Sequence, residues 1–261
     1  MKITKCLVAC DLNDVYLDFY PLVRKYWKNV VGIDTILILI ADEIPYKMNE
    51  FRDEIILFKP VDDIHTSFQA QCIRILYPCL FRSNENIIIS DMDLIPLNQK
   101  YYVENVKDFD DDNFIVYRDV ISEHKQYPIC FCLANSKIWK DIFNIKNETD
   151  ISDKLKLWYN MYDKYEISSA YSMSWACDQL QLFEYVNRWN VKSNKLIKLK
   201  DEETNFKRLD RMEIDSIYNN LQKYKLMIQN ETFSDFHLPR PLNQYSAVLK
   251  YLNIVSNKRW M

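Results

Sequence analysis

Through the first half of the chain, short apolar runs alternate with longer amphipathic stretches. That order predicts strands joined by helical crossovers in a mostly parallel sheet. Residues 6–10 (CLVAC) form a buried strand that ends at Asp11, and residues 15–28 form a helix interrupted near Pro21. Residues 35–41 and 54–59 give two further strands. Residues 66–82 repeat apolar side chains at Phe68, Cys72, Leu76 and Leu80, one face of a helix capped by Thr66 or Ser67. Gln71 and Arg74 share another face of it.

Next comes NIIIS, an apolar run running straight into Asp91-Met92-Asp93 and read as a central strand. Strands follow at residues 113–119 and 129–134. Beyond residue 140 the pattern becomes helical, charged and rich in tyrosine, without a Pro- or Ser-rich linker. A last helix starts near Asn243. The expected fold is α/β, a mixed, mostly parallel central sheet flanked by helices with a more helical C-terminal part, all within one domain spanning 1–261.

Composition narrows the chemistry. Hydrophobic residues are 48% and charged residues 27% of the chain, the balance of a folded globular protein. A net charge of −3 gives no field that would attract a polyanion, so nucleic acid is not an expected partner. No apolar stretch approaches the ~20 residues of a membrane helix, and the first apolar run is too short for a signal-peptide core. Seven cysteines without paired CxxC spacing read as reduced core residues, which points to a soluble, intracellular (cytoplasmic) protein. Cys130 and Cys132 are expected on one face of a strand.

There is a single glycine, Gly32. Neither a P-loop nor a dinucleotide fingerprint can be written with one, because both need several glycines to bring backbone amides against phosphate. A bound nucleotide would need its phosphates neutralised in another way.

The segment IIISDMDLIPL offers one. A buried strand delivers Asp91 and Asp93 to its C-terminal end, where ligands bind in open α/β sheets. Charges there are costly unless paired or bound to metal. Oxygen donors spaced by one residue suit Mn2+ or Mg2+, which also hold diphosphate oxygens. A competing acidic cluster, Asp108 with Asp110, Asp111 and Asp112, lies in a wholly polar stretch and reads as a solvated turn.

Four pieces together resemble the GT-A fold nucleotide-diphospho-sugar glycosyltransferases: the strand ending in ACDLND, the helix FQAQCIRILYP just before IIISDMDLIPL, the segment WACDQLQLF, and the late DFHLPRP. The resemblance implies a Rossmann-type nucleotide-sugar-binding half in residues 1–140 and an acceptor-side, helical half in residues 141–261. It implies a metal-dependent transfer from a nucleoside-diphosphate donor, most readily a UDP-sugar, to a hydroxyl on a carbohydrate, protein or lipid acceptor. Asp91, Asp93 and His237 would hold Mn2+ or Mg2+, with Asp91 also touching the donor. Ala9, Asp11 and Asn13 would meet base and ribose and Arg74 the nucleotide-sugar, while Arg240 and the Lys207, Arg208, Arg211 group could approach the diphosphate, although charges in such stretches are usually solvated.

Asp178 and Gln179 match the segment lying beside the anomeric carbon. Asp178 would serve either as general base in an inverting reaction or as an orienting group in a retaining one. The Asp-Gln pair and the late histidine resemble retaining members more than inverting ones. Two rival readings follow from the same residues. One is a Mg2+-dependent phosphohydrolase with a nucleophilic Asp on the strand, although such a motif is usually N-terminal. The other is a non-catalytic carbohydrate- or nucleotide-sugar-binding protein that uses the 14% aromatic residues as stacking surface.

Overall fold

A computed structural model describes residues 1–162, 165 and 172–255. Ten strands are placed: β1 (Lys5–Asp11), β2 (Asp34–Ile40), β3 (Ile55–Phe58), β4 (Asn86–Ile89), β5 (Leu94–Pro96), β6 (Phe114–Val116), β7 (Cys132–Asn135), β8 (Leu196–Lys198), β9 (Arg208–Asp210) and β10 (Asp235–His237). Seven of them form one sheet in the order β3-β2-β1-β4-β7-β6-β8, with β4 in the middle position. β1, β2, β3 and β4 run parallel, β7 runs antiparallel to both β4 and β6, and β8 is parallel to β6. The expected mostly parallel α/β sheet, with the IIIS strand at its centre, is therefore what forms.

The sheet is buried on both faces, which is why its first four strands read as nearly continuous apolar runs. Leu7, Ala9, Ile87 and Ile89 pack on one side beneath the helices Thr66–Leu76, Ser136–Phe143, Glu148–Tyr159 and Cys177–Ser193. Cys6, Val8, Cys10 and Ile88 point to the other side. There they meet the Tyr20–Tyr26 helix, the C-terminal helices and a second sheet, three strands in the order β5-β10-β9.

Several boundaries differ from the sequence pattern, each for a local reason. The helix over residues 15–28, expected to be interrupted near Pro21, does break there, into Asp14–Leu17 and Tyr20–Tyr26, with Pro21 in the first turn of the second, where its missing N–H costs nothing. A wider π turn, Trp27–Val31, then ends on Gly32 at φ 85°, the left-handed geometry that glycine accepts without strain. The helix expected over residues 66–82 is α-helical only for Thr66–Leu76 and continues as a 3-10 turn, Tyr77–Leu80, because Pro78 cannot donate to the ladder. Neither Thr66 nor Ser67 caps it: His65 holds the cap position, and the Thr66 hydroxyl donates instead to Asp11 Oδ2 at 2.8 Å.

Residues 129–131 form a 3-10 turn ahead of β7, so Cys130 and Cys132 are not same-face strand neighbours. Cys130 packs on the small-sheet side and Cys132 on the helix side. All seven cysteines are buried and free. Asp108, Asp110, Asp111 and Asp112 are exposed, as a solvated turn should be. Among the described residues no helix is long and apolar enough to cross a membrane.

Ile88 sits at the centre of the middle strand with no exposed surface. Truncating it leaves a cavity that flanking strands cannot collapse into. Ile88→Ala should cost about 3 kcal/mol, measured as a lower urea midpoint at unchanged m-value.

Candidate active site

The chain winds outward from β1 through β2 to β3, then returns to the other side of β1 as β4. That reversal splays the connections after β1 and β4 apart and opens a crevice at their C-terminal ends, the general ligand position in such sheets. One cleft lies there. Ala9, Asp11, Asn13, Arg74, Asp91, Asp93, Asp178, Gln179, His237 and Arg240 all line it. These ten positions come from five separate parts of the chain, and folding brings them to a single surface.

At the β1 end, Ala9 is nearly buried and the side chains of Asp11 and Asn13 are engaged locally. Asp11 Oδ1 accepts from the Asn13 backbone N–H at 3.2 Å, and Asn13 Oδ1 caps the following helical turn through Val15 N–H at 3.0 Å. Across the cleft, the Arg74 guanidinium bridges two carboxylates. Nη1 donates to Asp91, and Nη2 donates to Asp178 Oδ2 at 2.9 Å. Asp178, only 2% exposed, also accepts from the Gln179 backbone N–H through Oδ1 at 2.8 Å. Both of its oxygens are thus held by donors.

Burial raises the Asp178 pKa above the usual carboxylate range, and Arg74 only partly offsets it. Asp91 goes the other way: burial acts upward, but the charges of Arg74 and His237 outweigh it and hold the carboxyl below its usual range. Two carboxylates on one guanidinium therefore have their affinities for protons pushed apart by environment.

Asp93 lies in the turn between β4 and β5 and is 4% exposed. Its Oδ2 accepts from Arg211 Nη1 at 2.7 Å and faces Arg240 Nε at 3.3 Å, while His237 Nε2 stands 3.5 Å from Oδ1. His237 reaches this position because β10 pairs with β5, and the Leu238 backbone N–H donates to the Asp93 carbonyl at 2.7 Å. The other ring nitrogen, Nδ1, faces Asp210 Oδ2 at 3.4 Å across the parallel pairing of β10 with β9. Burial depresses the His237 pKa, but Asp93 more than compensates and raises it above the ordinary imidazole value. Arg240 is half buried, which lowers its pKa, and its guanidinium lies 4.9 Å from the Tyr16 ring centre.

Among the described residues no three His, Cys, Asp or Glu side chains are drawn into an assembled metal cage. The carboxylates are neutralised by arginines instead.

Several lining residues were not singled out by the sequence pattern. Tyr16 follows Asn13 by one helical turn, and Trp175 precedes Asp178 by the same interval, so helical spacing was the signal available for both. Gln71, already placed on the face of Arg74, lines the cleft and accepts from the Tyr165 hydroxyl at 2.6 Å. Asp210 and its contact with His237 had no sequence signal, since they meet only through strand pairing.

No family model matches the sequence, and no curated protein does. Solved structures do. The glycosyltransferase GlyE of Streptococcus pneumoniae TIGR4 aligns with a TM-score of 0.50 and 14% identity over 97% of this chain and 60% of that one. The galactosyltransferase LgtC, solved with donor and acceptor sugar analogs, aligns at 0.48 and 11% identity over 98% of both chains. A glycosyltransferase involved in glycosylation of the major capsid of PBCV-1 aligns at 0.44 and 10% identity over 97% of this chain and 100% of that one. The fold is the GT-A fold of glycosyltransferases, resting on the GlyE alignment and on the sheet order above. At such identities the likeness extends to the backbone alone.

Removing Arg74 would leave Asp178 buried without a countercharge. Arg74→Met should destabilise the fold by about 3 kcal/mol. In a double-mutant cycle with Asp178→Asn in urea the two losses should be strongly sub-additive; simple additivity would show that the pair is not coupled.

Proposed function

We propose that this chain is a glycosyltransferase that moves a sugar from a nucleoside-diphosphate donor, a UDP-sugar, to an acceptor hydroxyl, with Mn2+ or Mg2+ held by Asp91, Asp93 and His237. The observation that carries this reading is the convergence of those three side chains with Asp178, Gln179 and Arg240 at the open end of β1 and β4. The donor chemistry fits a hard divalent cation: two carboxylates and one imidazole face the same cleft, with His237 Nε2 already turned toward Asp93. Asp210 on Nδ1 supports the fit, because an imidazole ligand commonly gives its second nitrogen to a carboxylate.

When bound, the cation would stabilise negative charge on the departing diphosphate as a Lewis acid. The protein's own residues do the rest. Asp91 and Asp93 present oxygens to the diphosphate side of the cleft, and Arg240, braced on Tyr16, adds a positive charge there. Ala9, Asp11 and Asn13 form the wall for base and ribose. Asp178 and Gln179 face the sugar.

The bonds made by Asp178 favour the orienting role over that of general base. Both oxygens of Asp178 accept from fixed donors, which locks the carboxylate in one orientation while each oxygen keeps a lone pair for a sugar hydroxyl. A rigid acceptor in that place holds a sugar hydroxyl, which agrees with the retaining reading that the Asp-Gln pair and the late histidine resemble. The acceptor is a carbohydrate, protein or lipid hydroxyl approaching from the side of Trp175 and Gln179.

Thermal-shift measurements with UDP-, GDP- and CDP-sugars should show stabilisation by UDP-sugars that depends on Mn2+, and incubation should release UDP. Stabilisation by simple phosphate esters with phosphate release, and none by nucleotide-sugars, would defeat the reading. Asp93→Ala should lower kcat/KM by at least roughly 100-fold, beyond what loss of a supporting partner causes, while its circular dichroism stays native. An anomeric proton NMR spectrum of the product should show the donor's configuration preserved.

A further inference from the structure

The single glycine leaves this cleft without a backbone cradle for phosphate, so side-chain cations must serve instead. Among the described residues three guanidinium groups line it, and their anchorage differs. Arg74 is fixed between Asp91 and Asp178. Arg240 lies against the Tyr16 ring and faces Asp93 Oδ2 from 3.3 Å, a longer contact than that of Arg211. Arg211 opens a short turn, Arg211–Glu213, directly after β9, and its partly exposed side chain reaches in to Asp93 Oδ2 at 2.7 Å.

That contact occupies the carboxylate a metal would share with His237, on the oxygen next to the one His237 faces. Asp93 is almost fully buried and its charge needs a partner at all times. A divalent cation on the same carboxylate would bring like charge against the guanidinium with little water between them, so the two compete. A nucleoside diphosphate supplies new anionic oxygens in the same cleft, and the planar guanidinium fork matches phosphate geometry.

We infer that Arg211 is a resident counter-ion for Asp93 which gives way to the divalent cation and then binds the donor's diphosphate, coupling metal binding to nucleotide binding. The inference rests on the cation reading proposed above. It assigns Arg211 two opposite effects. Without nucleotide the guanidinium weakens metal binding by competition, and with metal in place it strengthens nucleotide binding. By linkage, nucleotide must raise metal affinity by the same factor that metal raises nucleotide affinity.

The test is Mn2+ binding followed by electron paramagnetic resonance, with and without UDP, together with UDP binding at saturating Mn2+ by calorimetry, in wild type, Arg211→Gln and Asp93→Ala. Arg211→Gln should bind Mn2+ about tenfold tighter in the absence of UDP and bind UDP about tenfold more weakly in the presence of Mn2+, the order of one charge-assisted contact. A merely structural role would not move the two affinities in opposite directions. Weaker or unchanged Mn2+ binding by Arg211→Gln, where Asp93→Ala abolishes it, overturns the role of Arg211 and leaves the cation reading standing. Absence of Mn2+ binding in wild type and Arg211→Gln alike, with and without UDP, overturns both.

Discussion

The cleft depends on one interaction, the Arg74 guanidinium shared between Asp91 and Asp178. It joins the Thr66–Leu76 helix, the turn after the middle strand and the N-terminal turn of the Cys177–Ser193 helix. Buried charges of this kind are tolerated only when each has a counter-ion, and breaking such a pair costs more than its formation gains. The arrangement therefore fixes the geometry of three elements more than it adds to stability. It also separates the two carboxylates electrostatically, holding Asp91 readily ionised and Asp178 less so.

Around that fixed centre the second sheet supplies the variable charge. β5, β10 and β9 are only three residues each, yet they carry His237, Asp210 and the approach to Arg211 onto the turn that holds Asp93. The small sheet packs through Leu94, Ile95, Leu209 and Phe236 into the same core as Cys6, Val8 and Ile88. The cationic side chains are therefore carried on a well-packed base. Where a glycine-rich loop would present backbone amides, this cleft gathers three arginines and an acidic pair among the described residues.

The elements legible in the sequence were those buried on both faces or strongly periodic. β1, β2 and β4 are runs of apolar residues that leave little ambiguity, and the Phe68, Cys72 and Leu76 stripe identifies its helix. The Asp91–Asp93 pair was legible as a pair of carboxylates at the open end of the strand because its charges directly follow an apolar run. Strands β5, β8, β9 and β10 were not legible, since three-residue segments carry no usable period and exist through pairing with distant partners. The placement of Cys130 and Cys132 failed for a related reason: a two-residue alternation holds only inside a strand, and Cys130 precedes it.

By itself, then, the sequence determined the alternating α/β order, the central place of the IIIS strand and the residue types gathered for chemistry, because hydrophobic period and charge beside an apolar run are local properties. Only the tertiary structure decided which charge meets which. Arg74 with Asp178, Arg211 with Asp93 and Asp210 with His237 are separated by 104, 118 and 27 positions along the chain. Contacts at such separations are set by strand order and helix packing, which depend on the whole core at once and leave no trace in neighbouring residues.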